Sequence, residues 1–138
     1  MFTDDLVTIL VNAGVGQATI NIFVGAKVAL PIGPGPFLTI RENGGSSPEG
    51  THNSVGVPAY VRPSAQIVTR AEDLADARLM AQKAYDALFP IRNQFINGTF
   101  WRQITIRHEP GELGEDENGR PRIFFNIDCI KRLSSATS

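Results

Sequence analysis

Gln66-Ile67-Val68-Thr69-Arg70-Ala71-Glu72-Asp73, running on into Leu74-Ala75-Asp76-Ala77-Arg78-Leu79-Met80-Ala81-Gln82-Lys83-Ala84-Tyr85-Asp86-Ala87-Leu88-Phe89-Pro90, is the stretch where the chain changes period. The run from Ala59 to Arg70 reads as a strand, with Pro63 marking an edge or bulge because proline has no N–H to give to a ladder. Beyond it, Leu74, Ala77, Ala81, Ala84, Tyr85 and Leu88 recur at intervals of three and four, the spacing of one helix face. Glu72 and Asp73 stand at the start of this helix, and Pro90 ends it. Its apolar stripe is mostly alanine, so the helix can lie very close to the sheet it covers.

Working outward, Asn97-Gly98 is a turn leading into a strand from Thr99 to His108, with Phe100, Ile104 and Ile106 expected on one face. A last strand from Arg122 to Lys131 alternates Ile123, Phe125, Ile127 and Cys129 on one side. Towards the N-terminus, Phe2, Leu6, Ile9, Leu10 and Ala13 predict a short amphipathic helix over Asp4 to Ala13. Thr3 is expected to cap it and Gly14 to stop it. Thr19 to Val24 and Phe37 to Glu42 alternate as strands, separated by Pro31, Gly33, Pro34, Gly35 and Pro36. Asn43 to Val57 is polar and reads as a long loop.

The resulting order, α-β-β-β-α-β-β, predicts an α+β fold: a mostly antiparallel sheet of about five strands with two helices packed on it. The expected division is one domain over residues 1–133 and a disordered tail over 134–138. A chain of 138 residues and 15.0 kDa suits a single domain. With 13 basic and 14 acidic residues the net charge is −1, which argues against a dedicated nucleic-acid binder. No apolar run is long enough to span a membrane, and the N-terminus lacks the basic and apolar regions of a signal peptide. The single cysteine, Cys129, can form no internal disulfide and is expected as a small buried hydrophobe.

Chemical motifs are weak throughout. His52, His108 and Glu109 lack the spacing of a zinc site, and Ser46, Ser47 and Ser54 near His52 have no nucleophile elbow. Gly33-Pro34-Gly35-Pro36 lacks the backbone donors of a phosphate cradle, and Asp116-Glu117-Asn118-Gly119 lacks the other ligands of a calcium loop. No catalytic residue, metal ligand or cofactor is therefore expected. A small ligand-binding module, with the 44–57 loop closing over His52, is the rival reading from another class. Two features favour interaction instead. Ten of the 13 basic residues are arginine, the side chain suited to bidentate interface pairing. Glu109, Glu112, Glu115, Asp116 and Glu117 also crowd five carboxylates into nine residues at an expected hairpin tip.

Taken in order, these segments resemble the tail terminator proteins of long-tailed bacteriophages. The matching parts are the N-terminal helix, Thr19 to Gly25, Phe37 to Gly45, Gln66 to Asp73 with its alanine helix, and the ending Gly114 to Ile127. The resemblance implies a non-enzymatic virion protein of the tail or neck, made in the host cytoplasm. It implies a homo-hexameric ring that caps the head-proximal end of the tail tube, stops tube polymerisation and meets the head–tail connector. DNA would pass through without sequence-specific binding. Another neck component, such as a stopper, is the near alternative. A domain of this length has a radius of gyration of roughly 14 Å. Six such bodies in a circle leave an opening roughly as wide as one of them, enough for duplex DNA. The expected inter-subunit or tube-facing residues are Arg41, Glu42, Gly44, Gly45, Arg62, Arg70, Glu112, Glu115, Asp116, Glu117 and Arg120.

Overall fold

The computed structural model describes residues 2–17, 21–25, 36–42, 46–49, 60–115 and 119–132, with the side chains of Phe2, Ser46 to Glu49 and Arg132 outside that description. The helices are α1 (Phe2–Asn12) and α2 (Leu74–Leu88). The strands are β1 (Ile22–Val24), β2 (Phe37–Glu42), β3 (Ser46–Glu49), β4 (Tyr60–Arg62), β5 (Ser64–Arg70), β6 (Arg92–Ile96), β7 (Thr99–Ile106), β8 (Gly111–Glu115) and β9 (Pro121–Arg132). They form one sheet, antiparallel except where β1 runs parallel to β2. The fold is α+β as expected, with nine strands where about five were read.

β9 is the spine. Along one side it pairs with β5 and then with β4; along the other it pairs with β8 and then with β7, which carries β6 outward. The break between β4 and β5 falls at Pro63, whose carbonyl still accepts from Cys129 N at 2.9 Å. The strand expected as one element is therefore two, divided where proline cannot donate. Three further strands escaped the alternation rule. β6 exposes four of its five residues as an edge, β8 is Gly and Glu around the single Leu113, and β3 lies inside the stretch read as loop.

Both helices contribute to the core on one face of the sheet. α2 points Ala77, Met80, Ala81, Ala84 and Leu88 inward, over Ile67, Ile123, Phe125 and Ile127. Its alanines permit an approach so close that the Thr69 hydroxyl of β5 donates to the Ala77 carbonyl at 2.8 Å. Leu74, expected on the stripe, sits in the first turn and is exposed.

α1 begins one residue before Thr3, which is buried within the helix and is not its cap. The stop at Gly14 is as read: φ is +78°, Gly14 N donates to Val11 O, and Val15 N donates to Leu10 O. This pair of bonds with buried Val15 and Leu10 is a Schellman ending. α1 is tied to the β6–β7 hairpin by Asp5, only 2% exposed. Its carboxylate accepts from Trp101 Nε1 and Asn97 Nδ2, both at 3.0 Å. Asn97 and Gly98 both have positive φ, the two-residue turn that their identity predicts.

One phase assignment in β7 is corrected. A register irregularity between Trp101 and Gln103 adds a residue, so Trp101 and Ile104 both face the core. Phe100 instead pairs with Phe95 across the hairpin, their rings 5.2 Å apart. Among the described residues no helix is long and apolar enough to cross a membrane.

Candidate functional site

Strand alternation divides the sheet into two faces. Ile123, Phe125, Ile127 and Cys129 of β9 point under the helices, and burial pushes the Cys129 thiol pKa well up. It is inert, as read from its place among core residues. The intervening positions, Arg122, Phe124, Asn126, Asp128 and Ile130, point to the face that carries no helix among the described residues. Register then brings their neighbours alongside. Arg70, Val68, Gln66 and Ser64 of β5 stand opposite Arg122, Phe124, Asn126 and Asp128. Phe37, Thr39 and Arg41 of β2 stand opposite Arg70, Val68 and Gln66.

This open face collects arginines. Arg70 is only 8% exposed, its guanidinium 5.2 Å from the Phe37 ring centre, and it lies directly across from Arg122. Arg41 lies one row along, over Gln66. Farther down β9, Arg107 makes a bidentate pair with Asp128, with both nitrogens at 2.7 Å. Ser64 also donates to Asp128, and these bonds, that of Arg107 first, hold the carboxyl below the usual aspartate range. Arg62 joins Arg107, Thr105, Asp128 and Ile130 around a pocket of about 260 Å³. Arg102 lies over the Tyr60 ring at 5.8 Å. His108 packs edge-on against Phe124 and lies 3.0 Å from Asn126 Nδ2 through its Nε2. It is half-buried on this face.

The expected interface residues divide accordingly. Arg41, Arg62 and Arg70 share the open face. Glu42 does not: it shares the register row of Ala65, whose side chain is under the helices. Glu112 also lies on the helix side, 3.6 Å from Arg78 of α2. Glu115 ends β8 in the row of Pro121, and its carbonyl accepts from Arg122 Nη2 at 3.2 Å. Arg120 is engaged by Glu72 at 3.0 Å, a bond that anchors the start of β9 to the approach of α2. Gly44, Gly45, Asp116 and Glu117 lie outside the described residues, as do His52, Ser54 and the 134–138 tail.

Reading the residues had missed Arg107, Arg122, Asp128 and the edge strand β6. Arg122 and Asp128 were within reach, since the alternation that buries Ile123, Phe125 and Ile127 also assigns the even-numbered residues of β9 to one outer face; Arg107 lies just beyond β7 and reaches that face through Asp128. β6 gave no such signal. It carries Phe95, 70% exposed, beside a groove of about 500 Å³ lined by Ile9, Ala13, Ala87, Ile91 and Ile96. Among the described residues no group of three His, Cys, Asp or Glu side chains converges as a metal site would require.

The same fold is found among solved structures. A chain in the virion of a native gene transfer agent particle superposes with a TM-score of 0.55 over 93% of this chain and 84% of that one. The two are 13% identical, so the likeness concerns the fold. No protein-family model matches the chain, and no curated protein matches it.

Proposed function

We propose that this chain is a structural virion protein without catalytic activity: one subunit of a hexameric ring that closes the head-proximal end of a tail tube and meets the head connector. The observation that carries this reading is the fold likeness, at a TM-score of 0.55 over 93% of this chain, to a chain of a gene transfer agent virion. It is supported by the ordered resemblance of the segments from the N-terminal helix to the β8–β9 hairpin to tail terminators.

The surface chemistry suits assembly. Among the described residues β1 pairs only with β2 and β6 only with β7, and a strand edge presents unpaired backbone groups to a neighbour. Phe95 and Phe89 are both mostly exposed, an unusual cost for a chain that stays alone in water. Unlike flanks are what a ring needs, because a closed ring with one subunit type is made by heterologous contacts.

The test is electron microscopy of the purified protein mixed with tail tubes, together with native mass spectrometry. Six-membered rings seated on the head-proximal tube end are expected. Binding to the connector alone would replace the terminator by a stopper, and a protein that stays single in the presence of both partners would overturn the reading.

A further inference from the structure

Formal charge near zero conceals a strong segregation. Six of the ten arginines, Arg41, Arg62, Arg70, Arg102, Arg107 and Arg122, lie on the open face, while the described side chains of the strands set one carboxylate there, Asp128. Asp128 is already occupied by Arg107 and Ser64. At the other end of the face, Arg70 and Arg122 are direct cross-strand neighbours, a placement in which like charges destabilise a sheet. The Nε atoms of Arg41 and Arg122 are buried with no hydrogen-bond partner among the described residues. Buried donors of a charged group left unsatisfied are costly. Arg41 and Arg122 therefore have donor capacity that carboxylates or similar anions packed beside them would use.

The chain carries a matching group that it does not direct at itself. Glu109, Glu112 and Glu115 are exposed on and beside β8, and register sets Glu112 and Glu115 on the helix side of the sheet, away from the arginine row. Their described bonds to arginine are a loose 3.6 Å contact from Glu112 to Arg78 and a backbone bond from Arg122 to Glu115. Acidic hairpin and basic face therefore look in opposite directions on one molecule, the arrangement that lets each copy serve the next.

We infer that this sheet face of one copy, at Arg41 and Arg122, receives the carboxylates of Glu112 and Glu115 of a second copy. This rests on the ring reading and specifies its joint: a head-to-tail contact between unlike surfaces, which repeats around a closed circle. It also removes the arginines from the bore, where they would hold DNA phosphates against passage.

The test uses two reversed variants of the full chain, R41E/R122E and E112K/E115K, with R41Q/R122Q as a milder form should the first fail to fold. Circular dichroism establishes folding, and sedimentation across a concentration series reads association. Each reversal alone should weaken self-association by about tenfold or more, and an equimolar mixture of the two should recover it, because opposite charges meet again. Wild-type association that both variants retain would overturn this joint and leave the ring reading standing. A wild-type chain that never self-associates, with or without tail tubes, would overturn both. A duplex DNA of about 20 base pairs serves as the competing probe. DNA binding lost in R41Q/R122Q while association persists would assign the face to nucleic acid and reject the protein partner.

Discussion

The two faces of the sheet differ in what their residues are for. Under the helices, Ile67, Phe125, Ile127, Trp101 and Leu88 are fully enclosed, and even the buried carboxylate of Asp5 has two donors on it. On the other face the side chains range from buried Arg70, Val68 and Ser64 to half-covered Arg122 and Arg41, arginines stand beside arginines, and the buried Nε atoms of Arg41 and Arg122 have no hydrogen-bond partner among the described residues. The first face is satisfied by the chain's own described groups; the second is the one proposed above to meet a second copy. Substitutions should therefore divide cleanly, with stability answering to one face and association to the other.

The largest expected effect is on the enclosed side. Phe125→Ala removes a ring with no exposed surface from beneath α2 and should cost about 3–5 kcal/mol in denaturant unfolding. A loss under 1 kcal/mol would mean that the helix layer is loosely seated. Asp5→Ala comes next. It strips the acceptor from Trp101 Nε1 and Asn97 Nδ2 and should cost about 1–3 kcal/mol, with the β6–β7 hairpin amides exchanging faster than the rest of the sheet. Gly14→Ala should cost about 1–2 kcal/mol, purely from its φ of +78°, since an added Cβ meets nothing within 4 Å.

The open face should respond weakly in the same assay. Arg122→Gln is expected to lie within about 0.5 kcal/mol of wild type, because the lost bond to Glu115 O is offset by relief of the Arg70 neighbour. A large loss there would make the arginine row part of the core economy and blur the contrast. Asp128→Asn sharpens it through pH. The folded carboxyl has a lowered pKa, so its contribution is present above the unfolded value near 3.8 and is lost as pH falls through the lower folded value. The variant should be slightly less stable than wild type at pH 7, and the gap should close once pH has fallen below the lowered folded value, where both carry a neutral group. A gap that persists in acid would show that Arg107 and Ser64 hold Asp128 by shape alone.

Local periodicity carried the fold as far as it could. α2 was legible to its last residue because alanine spacing and Pro90 are local signals, and Gly14 likewise announced the end of α1. β6 and β8 were not, because their strand character is imposed by β7 and β9 and not by their own side chains: Arg92-Asn93-Gln94-Phe95-Ile96 has no alternation to read. The interface residues show the same limit. Arg41, Arg62 and Arg70 could be singled out one at a time, but Glu42, chosen for standing next to Arg41, falls on the other side by the simple parity of a strand.

What the amino-acid order determined by itself was the α+β class, the two helices, the buried side of β9 and the abundance of arginine. What the tertiary structure alone decided was which arginines are neighbours. Arg70 meets Arg122, and Arg41 joins their face, through ladders between strands remote in sequence. Alternation tells each residue which face it takes, but only non-local pairing, fixed by the burial of the opposite face, determines whose company it keeps there.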